Sequence, residues 1–78
     1  MATNTPTPKN PTAVRLGKQL AELRQQCGFT TRSLAEQAGS SKAMVYNVEH
    51  GKCSASVDTL EQLLAPLGYR LAIVDNLD

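Results

Sequence analysis

One histidine and two cysteines are the residues of this 78-residue sequence best suited to hold a metal or attack a substrate. His50 and Cys53 stand three apart, with Cys27 as the remaining thiol. That set is too poor for a structural zinc site, which takes four nitrogen or sulfur ligands. No nucleophile stands beside His50, and no glycine-rich phosphate cradle is present. An enzyme, a metal site and a cofactor are therefore not expected. Two cysteines are also too few for a disulfide-stapled secreted scaffold. No charged-then-apolar leader and no membrane-length apolar run is seen, so a cytoplasmic protein with no membrane partner is expected.

The lysines and arginines are more informative. Net charge is only +1, but the charges are segregated. Through Ser56 the basic residues are Lys9, Arg15, Lys18, Arg24, Arg32, Lys42 and Lys52, against Glu22, Glu36 and Glu49. From Val57 onward Asp58, Glu61, Asp75 and Asp78 face Arg70 alone. A basic half and an acidic half suit a molecule that turns one face toward phosphates. The same distribution also suits an ordinary solvated surface.

Positioning those charges requires helices. Residues 1–11 hold Pro6, Pro8 and Pro11 without apolar periodicity and read as a disordered arm. From Ala13, Leu16, Leu20 and Leu23 recur at helical spacing, thickened by Val14, Gly17 and Ala21, until Gly28 stops the helix. Thr30 is an N-cap for a short second helix over about 31–38, with Phe29 and Leu34 at the spacing of a hydrophobic staple. Ser41 caps a third helix running to about His50, with Val45 and Val48 inward and Gly51 as its stop. Ser54 or Ser56 caps a fourth carrying Val57, Leu60, Leu63 and Leu64, which ends or kinks near Leu64 because Pro66 lacks an amide. Residues 69–74 alternate and read as a strand, with Tyr69, Leu71 and Ile73 sharing one face.

Two short helices crossing steeply need a small residue at their contact and a tight turn between them. Ala35 and Gly39 supply these, while Leu34, Ala38, Val45 and Val48 seal the corner. One face of the third helix is then free to enter a groove about 12 Å wide.

Leu23-Arg24, Gly28-Phe29-Thr30, Leu34-Ala35, Gly39, Val45 and Val48-Glu49-His50-Gly51-Lys52 stand in register over some fifty residues. This pattern resembles the lambda-repressor-like, Xre-type family of helix-turn-helix regulators. The resemblance implies that Lys42, Ala43 and Asn47 meet base edges. It implies that Ser41, His50 and Lys52 hold phosphates, with Met44 and Tyr46 flanking. Arg24 and Glu49 match a semi-buried ion pair that joins the first helix to the recognition helix. The family often places glutamine at the first position of helix two to touch phosphate; here that position is the shorter Thr31.

The segment from Leu67 to Asp75 is similar to the tail of HipB-type antitoxins, in which a strand pairs with its dimer mate. It implies a homodimer on a palindromic double-stranded operator, autorepression, and a HipA-like kinase toxin as partner. The alternative is a stand-alone Xre-type or phage-like regulator without a toxin. The expected architecture is all-α, four to five helices. Its parts are an arm over 1–11, a helix-turn-helix domain over 12–68, and a dimerisation strand and tail over 69–78.

Overall fold

The computed structural model describes residues 11–75. The arm expected over 1–11 falls outside them except for its last residue, and the tail after residue 75 falls outside altogether. Four helices follow in order, α1 (Pro11–Gln26), α2 (Thr31–Ala38), α3 (Lys42–Glu49) and α4 (Val57–Leu64), then a 3₁₀ turn at Ala65–Leu67. Pro11 therefore belongs to α1 and not to the arm. Proline suits a first helical turn, where its missing amide would have no intrahelical partner.

The helix boundaries follow local chemistry. Thr30 caps α2 by accepting from the Ser33 amide, and the Ser33 hydroxyl accepts in return from the Thr30 amide at 2.9 Å. Of the two serines expected to cap α4, Ser56 does so, accepting from the Thr59 amide at 3.1 Å. α4 ends at Leu64, and Pro66 sits in the 3₁₀ turn where the chain can lose an amide. Gly39 ends α2 at φ 70°, a conformation that costs any residue with a Cβ. Its amide returns to the Glu36 carbonyl and that of Ser40 to Ala35, a Schellman closure that makes the tight turn.

The core is Leu20, Leu34, Ala35, Val45, Val48, Leu63 and Leu67, with Leu23, Phe29, Ala38, Leu60 and Leu64 packed around it. α3 lies against both α1 and α2, and α4 with its 3₁₀ turn backs α2. Val57, expected inside, is 66 % exposed because no element among the described residues covers the first turn of α4.

The tightest approach is between α1 and the end of α3. A Cβ on Gly17 would fall on the Val48 carbonyl oxygen and lie 2.8 Å from that of Glu49. A glycine inside a helix costs about 1 kcal/mol against alanine, and here it lets two backbones meet. Seven residues on, Arg24 locks the same contact. Its Nε and Nη2 donate to the two oxygens of Glu49 at 2.6 and 3.2 Å, and its Nη1 donates to the Phe29 carbonyl at 2.9 Å. The side chains are 12 % and 3 % exposed, so the pair is largely withdrawn from water.

Residues 69–74, expected to pair as a strand with a second copy, form no ladder within the described chain. A strand exists through a neighbour, and no second extended segment lies within the described residues to pair with it. Instead the Tyr69 amide donates to the Leu64 carbonyl at 3.2 Å and the Leu71 amide to Glu61 Oε2 at 2.7 Å.

Two stability measurements follow. Gly17→Ala should lower the free energy of urea unfolding by about 2 kcal/mol, as overpacking against a carbonyl does; an unchanged midpoint would mean the helices do not meet this closely. Arg24→Met should cost about 3 kcal/mol, since it strands a buried carboxylate. Glu49→Gln, which keeps an oxygen for the guanidinium, should cost less. The double variant Arg24→Met/Glu49→Leu should recover much of the Arg24→Met loss, and strict additivity of the single losses in the cycle would show that the pair is not coupled.

Candidate nucleic-acid interface

α3 is two-sided. Val45, Val48 and Glu49 are buried, whereas Lys42, Ala43, Met44 and Tyr46 are exposed and Asn47 is half-buried. Residues three and four apart share a helix face, so Lys42, Ala43, Tyr46, Asn47 and His50 form one outward stripe. Val45 and Val48 hold that stripe outward from beneath, and the Arg24 clamp on Glu49 fixes the rotation of the helix about its axis.

Neither Lys42 nor the Asn47 carboxamide has a side-chain hydrogen bond or ion pair among the described residues. Lysine offers donors without an acceptor, and the asparagine carboxamide offers both, so the two complement guanine and adenine edges respectively. Ala43 adds a methyl beside Asn47.

The flanks are built differently at the two ends of α3. At its start Ser41 is exposed, and its Oγ accepts from the Met44 amide at 3.0 Å, leaving its proton to donate outward. At its end Tyr46, His50 and Lys52 form a cluster. The His50 ring stacks on Tyr46 with centroids 3.9 Å apart and planes 26° from parallel. The Lys52 ammonium lies 5.1 Å from the Tyr46 centroid, within cation–π range. His50 Nδ1 is 2.9 Å from the Tyr46 carbonyl oxygen. This contact suits a proton on Nδ1 and leaves Nε2 outward, where it donates to a phosphate only in the ring that carries a proton on both nitrogens. The spacing of Tyr46 and His50 suggests proximity, but their stacking and the return of Lys52 around Gly51 emerge only in three dimensions. Thr31 stands at the first position of α2, half-buried, with no side-chain hydrogen bond among the described residues.

Tyr69, Leu71 and Ile73 are not brought to this surface. Tyr69 and Leu71, with Arg70, border a cavity of about 150 Å³ walled by Leu16, Leu20 and Leu23 of α1 and Leu60 and Leu64 of α4. α1 thus turns one face to α3 through Gly17 and an adjacent face to the C-terminal segment. Ile73 and Val74 are 102 % and 79 % exposed.

Three residues that make long-range backbone contacts carry no assigned role in the sequence pattern. Gly17 was assigned only to the apolar stripe, although a glycine in mid-helix is itself a signal of close approach. Glu61 and Gln62 carry no such signal, because their partners are backbone groups remote in sequence. Gln62 Nε2 donates to the Ala38 and Gly39 carbonyls at 2.6 and 3.2 Å.

The chain is 39 % identical over 61 residues to an uncharacterized HTH-type transcriptional regulator of Haemophilus influenzae, covering 78 % of this chain and 62 % of that protein. It is 38 % identical over 56 residues to the HTH-type transcriptional regulator PuuR of Escherichia coli, covering 72 % of this chain and 30 % of PuuR. This chain therefore spans less than two thirds of either curated relative. Its fold is similar to the crystal structure of the restriction-modification controller protein C.AhdI from Aeromonas hydrophila. The TM-score is 0.72 at 29 % identity, over 76 % of this chain and 89 % of that one. The model of the helix-turn-helix domain matches residues 15–75, and the chain belongs to that family.

Proposed function

We propose that this chain is a sequence-specific DNA-binding transcriptional repressor that reads a palindromic operator as a homodimer. The observation that carries the reading is the outward stripe of α3. Lys42, Ala43 and Asn47 have side chains that match base edges in the major groove, and the two polar ones are engaged by nothing else among the described residues. Ser41, His50 and Lys52 flank them as phosphate contacts, Met44 and Tyr46 border the groove, and Thr31 reaches the backbone from α2. Phosphate contacts set the register and base contacts supply the sequence. The names of the Haemophilus, Escherichia and Aeromonas relatives support a regulatory role.

The dimer is the second half of the proposal. In the single chain the amides of Arg70, Ala72, Ile73 and Val74 have no hydrogen-bond partner among the described residues, and Ile73 and Val74 leave their apolar side chains in water. Antiparallel pairing of residues 69–74 with a second copy would satisfy the amides of Arg70, Ala72 and Val74, which share the edge opposite to those of Tyr69 and Leu71, and would set the exposed apolar side chains of the two copies beside each other. Two recognition helices would then enter successive major grooves about 34 Å apart. The narrower antitoxin role, with a HipA-like kinase partner, rests on the resemblance of the tail alone. The relatives' names favour the stand-alone regulator.

An operator selected from random-sequence DNA by the protein itself provides the test. Lys42→Ala and Asn47→Ala should each cost about 1 to 3 kcal/mol on that site and relax preference at one base pair. Equal losses on random DNA would reduce both residues to phosphate contacts. Affinity should fall steeply with salt despite the small net charge, and a flat log–log plot would sink the DNA reading. Ending the chain after Gly68 should leave the helices folded while sedimentation moves from dimer to monomer. A truncated protein that stays dimeric would move the interface onto the helices.

A further inference from the structure

We infer that Gln62 is a positioning residue for the recognition helix, acting from α4 on the turn between α2 and α3. The accounting of backbone groups in that turn leads to it. The Schellman closure uses the amides of Gly39 and Ser40 and satisfies the carbonyls of Glu36 and Ala35, inside the last turn of α2. The carbonyls of Ala38 and Gly39 belong to the turn itself and lie beyond that closure. Both are taken by Gln62 Nε2, at 2.6 and 3.2 Å. A carboxamide nitrogen carries two hydrogens, so one side chain ties two successive peptide planes to a helix more than twenty residues away.

Those planes lead directly into Ser40 and Ser41, and Ser41 is the N-cap of α3. The core residues Leu34, Ala35 and Val45 hold α2 against α3 without Gln62. They do not hold the turn, where Gly39 has no side chain to pack. Gln62 is exposed and its bonds compete with water, so its net contribution to stability is small. Its effect falls instead on where the first turn of α3 begins, which is where Lys42 and Ala43 stand. The chemistry is specific to a donor of this length. Methionine has no donor, glutamate turns lone pairs toward two carbonyl oxygens, and asparagine is one methylene short.

The importance of this latch to DNA reading rests on the function proposed above, whereas its existence can be measured without DNA. In the full chain, Gln62→Met and Gln62→Glu should leave the melting temperature within about 5 °C of the parent, as expected for an exposed hydrogen bond. Residual dipolar couplings and amide shifts should change over residues 38–43 and stay fixed in α1 and α4. On the selected operator Gln62→Met should bind about tenfold more weakly, the scale of a coupling between two sites of one protein. Gln62→Glu should bind more weakly still, and random DNA should be bound as before. Unchanged couplings in the turn overturn the latch. Melting that falls in step with affinity, or an equal loss on random DNA, also overturns it, because the residue would then be structural only. A parent protein that selects no sequence would sink the DNA reading, while the couplings still decide the latch.

Discussion

α1 and the C-terminal end of α3 meet so closely that no Cβ fits between them, and most of the surface geometry descends from that contact. Gly17 lets the backbone of α1 rest on the carbonyls of Val48 and Glu49, and Arg24 then reaches past to grip the Glu49 carboxylate with two nitrogens. An ion pair so far from water returns little net stability, because desolvation offsets attraction. What it supplies is orientation. A bidentate guanidinium–carboxylate pair tolerates little rotation, and the third bond, to the Phe29 carbonyl, carries the constraint into the junction between α1 and α2. α3 is thereby referred to α1 and to the junction between α1 and α2.

With the inward face held, the outward face follows from helical periodicity alone. Once Val45, Val48 and Glu49 are buried, Lys42, Ala43, Tyr46 and Asn47 must point away. The two ends of α3 are held by different means. Its start depends on the Ser41 cap and on the turn that Gln62 spans, and its end on the stack of Tyr46 and His50 and the proximity of Lys52. Contacts at both ends suit a surface that must match a fixed spacing of groups on its partner.

The C-terminal segment occupies the far side of the same economy. α1 and α4 leave a shallow apolar trough between them, and the chain turns back after Gly68 to lie along its rim, tethered by Leu64 and Glu61. Beyond Leu71 the tethers stop while the apolar side chains continue. The described chain therefore holds the segment at its root and leaves Ile73 and Val74 exposed.

Much of this was legible from the sequence by itself because it rests on local rules. Helical spacing placed the four helices, Thr30 and Ser41 announced their caps, Gly39 announced the turn, and Pro66 marked where α4 had to end. The inward set of α2 and α3 followed from the same periodicity, and the outward stripe followed from the inward set. Tertiary structure decided what local rules do not encode. Val57 had the right type for a core position, yet among the described residues nothing packs above it. The strand pattern of residues 69–74 was correctly alternating, but a ladder needs a second edge, which no local signal can provide within the described chain. Gly17 signalled a close approach without naming what it approaches, whereas Glu61 and Gln62 bond backbone groups far along the chain and leave no trace in their own spacing.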